Sequence, residues 1–390
     1  MNELKAEEKL ILSLIKLELT DSEVESVEKN FISKRLNWGY IARWMFEHRV
    51  AMVVYKNLLK YNWANRIPGK WRHLFEYYYL ANRERNKYIY EAITPVLNDL
   101  YENKVHCIAL KGLFLNHMVY NDLGLRQSKD IDLFFPEDEL ALATDIILKH
   151  GFIQGEIDRN NGQIIKATRK EKIFRKMISH ELISFIKKTN NQFCEYIEID
   201  VQYDIFSHAK RLRVPFNTEV LHSSAKLLEI NKGKGRCYQF KEEYNLLQLC
   251  SHLYQDSVMF YGILQNKDHE LSKYMDIYEF VKHFGREISW NDFSEELIEN
   301  KVNHIVYFAL AHAEQIYGVF VPEFFSERIK PKDLQYLNQF GVEEKNPLTW
   351  TKPFIERIFD DNKWKKIGSD TSAFITESVK NYMYPFKNKD

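Results

Sequence analysis

Several things are missing from this 390-residue chain, and each absence closes off a class of function. It has no excess charge of either sign: Lys plus Arg and Asp plus Glu both total 55. There is therefore no global basic field to gather long nucleic acid, although local basic patches remain open. It has no CxxC pair, since its four cysteines (Cys107, Cys194, Cys237 and Cys250) are scattered. Zinc is not expected, and two of the cysteines sit in apolar strand-like runs as small core residues. No apolar run approaches the roughly 18 residues of a membrane span, the longest being the short stretch 305–311. The opening Met1-Asn2-Glu3-Leu4-Lys5-Ala6-Glu7-Glu8-Lys9 is too charged for a signal peptide. The GxxxxGK[ST] phosphate loop is absent, because Lys232-Gly233-Lys234-Gly235 lies between two short apolar runs and reads as a hairpin turn. His180-Glu181 lacks the second histidine of a zinc-protease helix. No internal repeat or low-complexity tract stands out. What remains is a cytoplasmic globular protein with 26 Phe and 23 Tyr, long enough for two or three domains.

The apolar periodicity divides the chain into three. Residues 1–103 read as helical. Leu10, Leu14 and Leu17 lie in a first helix, Trp44 to Leu58 in a second, and a Tyr-, Arg- and Asn-rich run from Trp71 to Ile93 in a third. Thr94-Pro95 is expected to end that run, with Thr94 capping a new helix. Residues 104–240 alternate between strand and helix signals. Val105 to Leu110 and Ile131 to Phe135 read as strands, and Leu113 to Tyr120 and Glu139 to His150 as helices. Glu171 to Lys188 is predicted to be helical and Phe193 to Phe206 to be the longest strand. Residues 241–390 return to helix, with a stripe of Leu246, Leu247, Leu249, Cys250 and Leu253. His252 on that stripe is expected to be a core histidine. The fold class is α+β, with a catalytic core between helical regions.

The chemistry concentrates between Leu110 and Leu133. Asp130 and Asp132 are two apart on a strand and project from one face. Two such carboxylates repel unless cations intervene, and Mg²⁺ with a nucleotide's phosphates satisfies this pattern. Lys111-Gly112 stands at a strand-to-helix junction, where glycine allows close backbone approach and Lys111 supplies a phosphate-directed charge. Arg126, four residues before Asp130, reaches the same pocket if its loop folds inward. The longest strand carries Glu198, Asp200, Gln202 and Asp204 on its polar face, a source of a third carboxylate. The basic run Lys166, Arg169, Lys170, Lys172, Arg175 and Lys176 reads either as a solvated helix face or as a contact for phosphates or a phosphorylated acceptor.

Leu110-Lys111-Gly112, Tyr120, Arg126 and Asp130-Ile131-Asp132-Leu133, with the later Asp200, resemble the uncharacterised bacterial nucleotidyltransferases of the DNA polymerase β-like superfamily. Arg49-Val50-Ala51 with Tyr55 and Leu58, and Leu246 to His252 with Asp276, resemble the family's flanking helical segments. The resemblance implies a polymerase β-like nucleotidyltransferase core and two-metal transfer of an NMP from an NTP such as ATP to a hydroxyl, releasing pyrophosphate. Asp130, Asp132 and Asp200 would be the catalytic ligands of Mg²⁺ or Mn²⁺, and Lys111, Gly112 and Arg126 would bind the nucleotide. The acceptor is open among a small molecule, a peptide and a protein, with nucleic acid less favoured. A toxin–antitoxin type enzyme acting on tRNA and an inactive nucleotide-binding protein are the alternatives. The turn departs from the superfamily's usual Gly-Ser, and Gln202 stands where a histidine is common.

Overall fold

The computed structural model describes residues 4–32, 34–158, 160–206, 208, 214, 216–343 and 346–360. The last 30 residues of the expected C-terminal helical region thus lie outside the described residues. Five helices come first: α1 (Ala6–Leu14), α2 (Asp21–Val27), α3 (Trp38–Glu47), α4 (Ala51–Lys60) and the long α5 (Gly69–Glu102). The single helix expected from Trp44 to Leu58 is two, because Arg49 takes a left-handed φ of 53° and turns the chain between α3 and α4. The break expected at Thr94-Pro95 does not occur. The Thr94 hydroxyl donates to the Tyr90 carbonyl at 2.6 Å instead of capping a new helix. Proline's missing donor is tolerated there, because Ile93, Val96, Leu97 and Leu100 bury one face of α5.

Eight strands and four helices follow: β1 (Ile108–Ala109), α6 (Lys111–Leu115), β2 (Ile131–Phe134), α7 (Leu140–Lys149), β3 (Ile153–Ile157), β4 (Ile164–Lys166), α8 (Arg169–Ile178), β5 (Phe185–Asn191), β6 (Cys194–Gln202), α9 (Glu219–Ser223), β7 (Lys226–Ile230) and β8 (Gly235–Gln239). The expected helix from Glu171 to Lys188 is therefore α8 followed by β5. Its second half pairs antiparallel with β6, from Phe185 opposite Ile199 to Asn191 opposite Cys194. Burial of Phe185 in the core outweighs the local preference of Lys187 and Lys188. The strands form one mixed sheet in the order β4-β3-β5-β6-β2-β1-β8-β7. β2 runs parallel to β6, and β1 runs parallel to β8. The β7–β8 hairpin turns through Asn231, Lys232 and Gly233, all at positive φ, as the turn signal predicted.

After the sheet come α10 (Glu242–Val258), α11 (Phe260–Leu264) and α12 (Leu271–Phe284), then helices Trp290–Glu299, Asn303–Tyr317 and Glu323–Ile329. One apolar cluster runs from Leu10 through Leu133 and Val201 to Ile358, joining both helical regions to the sheet. Among the described residues no helix is long and apolar enough to cross a membrane.

Candidate active site

The parallel pairing of β2 and β6 sets the site. Its register places Ile131 against Ile199 and Asp132 against Asp200. Neighbouring strands lie about 4.8 Å apart, and residues in register share a face. Ile131, Leu133, Ile199 and Val201 fill the core face, which leaves Asp132 and Asp200 on the other. Asp130 stands one residue before β2. All three carboxylates line one cavity of about 390 Å³, which Lys111, Gly112 and Arg126 also line. The structure thus brings together all six residues singled out in the sequence.

Their individual settings differ. Lys111 occupies the turn after β1 with a left-handed φ of 39°, and its Nζ lies 2.7 Å from Asp132 Oδ1. Gln202 Nε2 donates to the same oxygen at 3.1 Å, so the residue standing where histidine is common acts as a neutral donor to the carboxylate. Asp200 Oδ1 accepts from Ser184 Oγ at 2.5 Å. A Cβ on Gly112 would lie 2.4 Å from Ser128 Oγ and 2.9 Å from Arg126 Nη1. The missing side chain therefore lets the loop bearing Arg126 close onto the Lys111 turn. The Arg126 guanidinium donates to Asp276 of α12 through Nε at 3.0 Å and Nη2 at 2.8 Å, and Asp276 also accepts from Tyr120 at 2.7 Å. Arg126 therefore ties the loop to the C-terminal helices as well as lining the cavity.

Three polar residues of α5 hold this loop in place, and sequence reasoning missed them. Asn82 donates to the Gly124 carbonyl at 2.9 Å and Asn86 to the Leu123 carbonyl at 2.7 Å. Arg85 donates to the carbonyls of Ser128 and of Lys129, the latter at 2.8 Å. Their signal was available, as asparagines at i and i+4 inside a helix are poor helix formers and need another reason to be there.

The electrostatics have a clear sign. Burial, with Asp130, Glu181 and Asp132 nearby, pushes the Asp200 carboxyl well above its ordinary range despite the Ser184 bond. Burial and Asp130 raise Asp132 as well, even against Lys111. Lys111 is raised too: burial lowers it, but Asp132 and the other carboxylates outweigh that. Burial is the main cause at the two acids, whereas Lys111, raised against its own burial, reports a local excess of negative charge around it.

A second wall of the cavity comes from the helices beyond the sheet and carries both signs. Lys267, Lys273, Asp256 and Glu270 line it with His252, along with Arg49 from the α3–α4 turn, which pairs with Glu270 at 3.4 Å. Lys273 Nζ lies 2.5 Å from Asp256 Oδ2 and donates to the Lys267 carbonyl at 2.8 Å. His252 is thus not a core histidine. It stands on the wall 3.6 Å from Asp256, and burial together with Lys111 and Lys273 drives its pKa well below the usual histidine value. His180 and Glu181 also line the cavity, with Glu181 held by Arg175.

A cavity that sets three aspartates across from lysine and arginine side chains suits a substrate that is itself polyanionic and brings cations. Residues 34–318 match a family described as uncharacterised nucleotidyltransferase. The chain belongs to that family. Nucleotidyl transfer is accordingly its general chemistry, and both walls of the cavity, from Arg49 to Asp276, fall inside the matched span. No curated protein and no solved structure matches the chain. The donor set fits a hard divalent ion, for buried aspartates with excess negative charge are what Mg²⁺ ligation relieves. Among the described residues no three His, Cys, Asp or Glu side chains are already gathered as a metal cage, and Lys111 takes up one Asp132 oxygen.

Proposed function

We propose that this nucleotidyltransferase uses Asp130, Asp132 and Asp200 to hold Mg²⁺ or Mn²⁺ and transfers an NMP from an NTP to a hydroxyl on a polymerase β-like core. The observation that carries the reading is the in-register pair Asp132 and Asp200, facing a cavity that Lys111, Lys267 and Lys273 also line. When bound, the divalent ions would neutralise phosphate charge and lower the pKa of the attacking hydroxyl.

The chain's own residues supply the rest. Lys111 sits beside Asp132 and would supply a positive charge to the phosphates. Lys267, Lys273 and Arg49 line the same cavity and would take the negative charge that develops on the leaving pyrophosphate as the α-phosphorus is attacked. Gln202 and Ser184 hold Asp132 and Asp200 in fixed rotamers through their hydrogen bonds. Arg126 fixes the position of the loop that ends at Asp130 through its bidentate grip on Asp276.

The test is incubation with α-labelled NTPs, Mg²⁺ and fractions of a host lysate. Transfer of label by the wild type and its loss in Asp130→Ala supports the reading. No transfer with any NTP or fraction, or equal transfer by both proteins, contradicts it.

A further inference from the structure

Helix α8 makes little sense as a purely structural element. It is specified locally: the Glu171 amide donates to Thr168 Oγ1 at 3.3 Å, and Glu171 accepts from the Thr168 amide at 2.7 Å, a reciprocal cap. Yet none of its ten residues is fully buried, Phe174 and Arg175 being half-buried. Isolated helices of this length are marginal in water and usually persist by burying an apolar face. Here Ile173 and Met177, one turn apart, are 53% and 74% exposed, with Ile178 beside them. Ile165 of the edge strand β4, four residues before Arg169, is 58% exposed. Ile173 and Met177, at i and i+4, share one helix face and make an exposed apolar ridge, with Ile165 and Ile178 close to it in the chain.

The ridge has basic flanks. Between Lys166 and Lys176 there are six basic residues and one acidic residue, in a chain of zero net charge. Arg169 and Lys170 occupy the first turn, against the helix dipole, and Lys172 and Lys176 repel at i and i+4. Among the described residues Arg169, Lys170 and Lys172 make no ion pair, while Lys176 pairs with Glu137 at 3.1 Å. These choices weaken the helix alone and suit an anionic partner. The helix also adjoins the reaction site. Tyr203, just beyond β6, donates to the Lys176 carbonyl at 2.8 Å, and Arg175 turns inward to line the cavity with Glu181.

We infer that α8 is the docking platform for a polypeptide acceptor, an acidic segment carrying apolar side chains, which presents its hydroxyl to the cavity. The hydroxyl step rests on the proposed nucleotidyl transfer. The acceptor oxygen bonds to the α-phosphorus, the α–β bridging P–O bond breaks, pyrophosphate leaves with that electron pair, and the hydroxyl proton passes to solvent. An RNA backbone would match the charge but leave the ridge uncovered. A bilayer would match both features but has no reason to follow a helix whose Arg175 turns into the catalytic cavity.

Docking is measured without catalysis, by anisotropy of labelled full-length protein against four probes: a glutamate–tyrosine random copolymer, poly-glutamate, poly(U) and anionic phospholipid vesicles. The copolymer should bind on the order of tenfold more tightly than the others. Ile173→Ser/Met177→Ser and Lys170→Glu/Lys172→Glu should each lose about that factor. Thermal stabilisation by MgATP should be unchanged in both variants, since these side chains are exposed and away from the carboxylates. Loss of that response in the wild type would count against the nucleotide reading and leave the docking result standing. Copolymer binding no tighter than poly-glutamate, preference for poly(U) or vesicles, or unchanged affinity in the ridge variant overturns the assignment.

Discussion

Replacing Asp200 by asparagine should make the metal-free protein more stable and at the same time abolish its response to divalent ions. Asp200 lies in register with Asp132 across one strand spacing and faces Asp130 and Glu181 as well. Burial is the largest cause of the raised carboxyl, and each neighbouring carboxylate adds to it: one about 6 Å away repels by ~0.7 kcal/mol in a water-like medium and by ~3 kcal/mol at the effective dielectric of a protein. Lys111 offsets part of this at Asp132, so a net gain of about 1–2 kcal/mol is expected from Asn, which keeps the acceptor for Ser184. The sign with pH follows from the raised carboxyl pKa. The folded state holds this proton more tightly than the unfolded chain. Stability therefore falls as pH rises from the ordinary aspartate value through the raised one, and the full penalty is present above it. Urea unfolding across that range should show wild-type stability falling with pH, and a shallower fall in Asp200→Asn. At neutral pH the variant should melt a few degrees higher. Adding Mg²⁺ with ATP should raise the wild-type Tm and leave the variant unmoved. A variant less stable than wild type at neutral pH without metal, or one still stabilised by Mg²⁺ with ATP, refutes the charge-excess reasoning.

Further outcomes follow from the two walls and the loop. Lys267→Ala should weaken NTP binding on the order of three- to tenfold, more at low salt, with the Tm of the free protein unchanged; titration calorimetry at two ionic strengths checks it. Lys273→Met should instead cost about 3 kcal/mol of stability, because it strands Asp256, whose carboxyl Lys273 and His252 hold below its usual range. Gly112→Ala should destabilise by about 1–3 kcal/mol and weaken nucleotide binding, as its methyl would displace Ser128 and Arg126; chemical denaturation and nucleotide titration report the two effects separately. Asn86→Ala should cost about 1–2 kcal/mol by leaving the Leu123 carbonyl without its donor and the Arg126 carbonyl with only the Asn82 amide at 3.3 Å, and faster proteolysis at residues 121–129 would show that the cost falls on the loop.

Much of the site was legible in the sequence because its chemistry is local. Asp130, Asp132, Lys111 and Gly112 fall within 22 residues, and strand alternation alone put Asp200 on the polar face of its strand. The β7–β8 hairpin announced itself through turn residues that tolerate positive φ. What was hidden depends on long-range packing. The α8–β5 boundary is decided by pairing with β6, which overrides the helical preference of a Lys-rich stretch. The unbroken α5 is decided by what its buried face meets. The wall that carries Lys267 and Lys273 lies more than 130 residues from Asp130 and carries no spacing signal of its own. His252 looked like a core residue because its neighbours on α10 are apolar, and only the packing of that helix turns it toward the cavity. The asparagines of α5 make sense only once the loop they hold has been placed.

The central claim is that chemistry occurs at the α-phosphorus under the control of Asp130 and Asp132. It is tested most directly by supplying NTP labelled at either the α or the γ position, with Mg²⁺ and acceptor-containing fractions, and separating the products. Transfer of α-label to an acceptor with γ-label appearing only in pyrophosphate, and loss of both in Asp130→Ala/Asp132→Ala, is the expected result. Release of γ-label as orthophosphate, or undiminished turnover in the double variant, would contradict it.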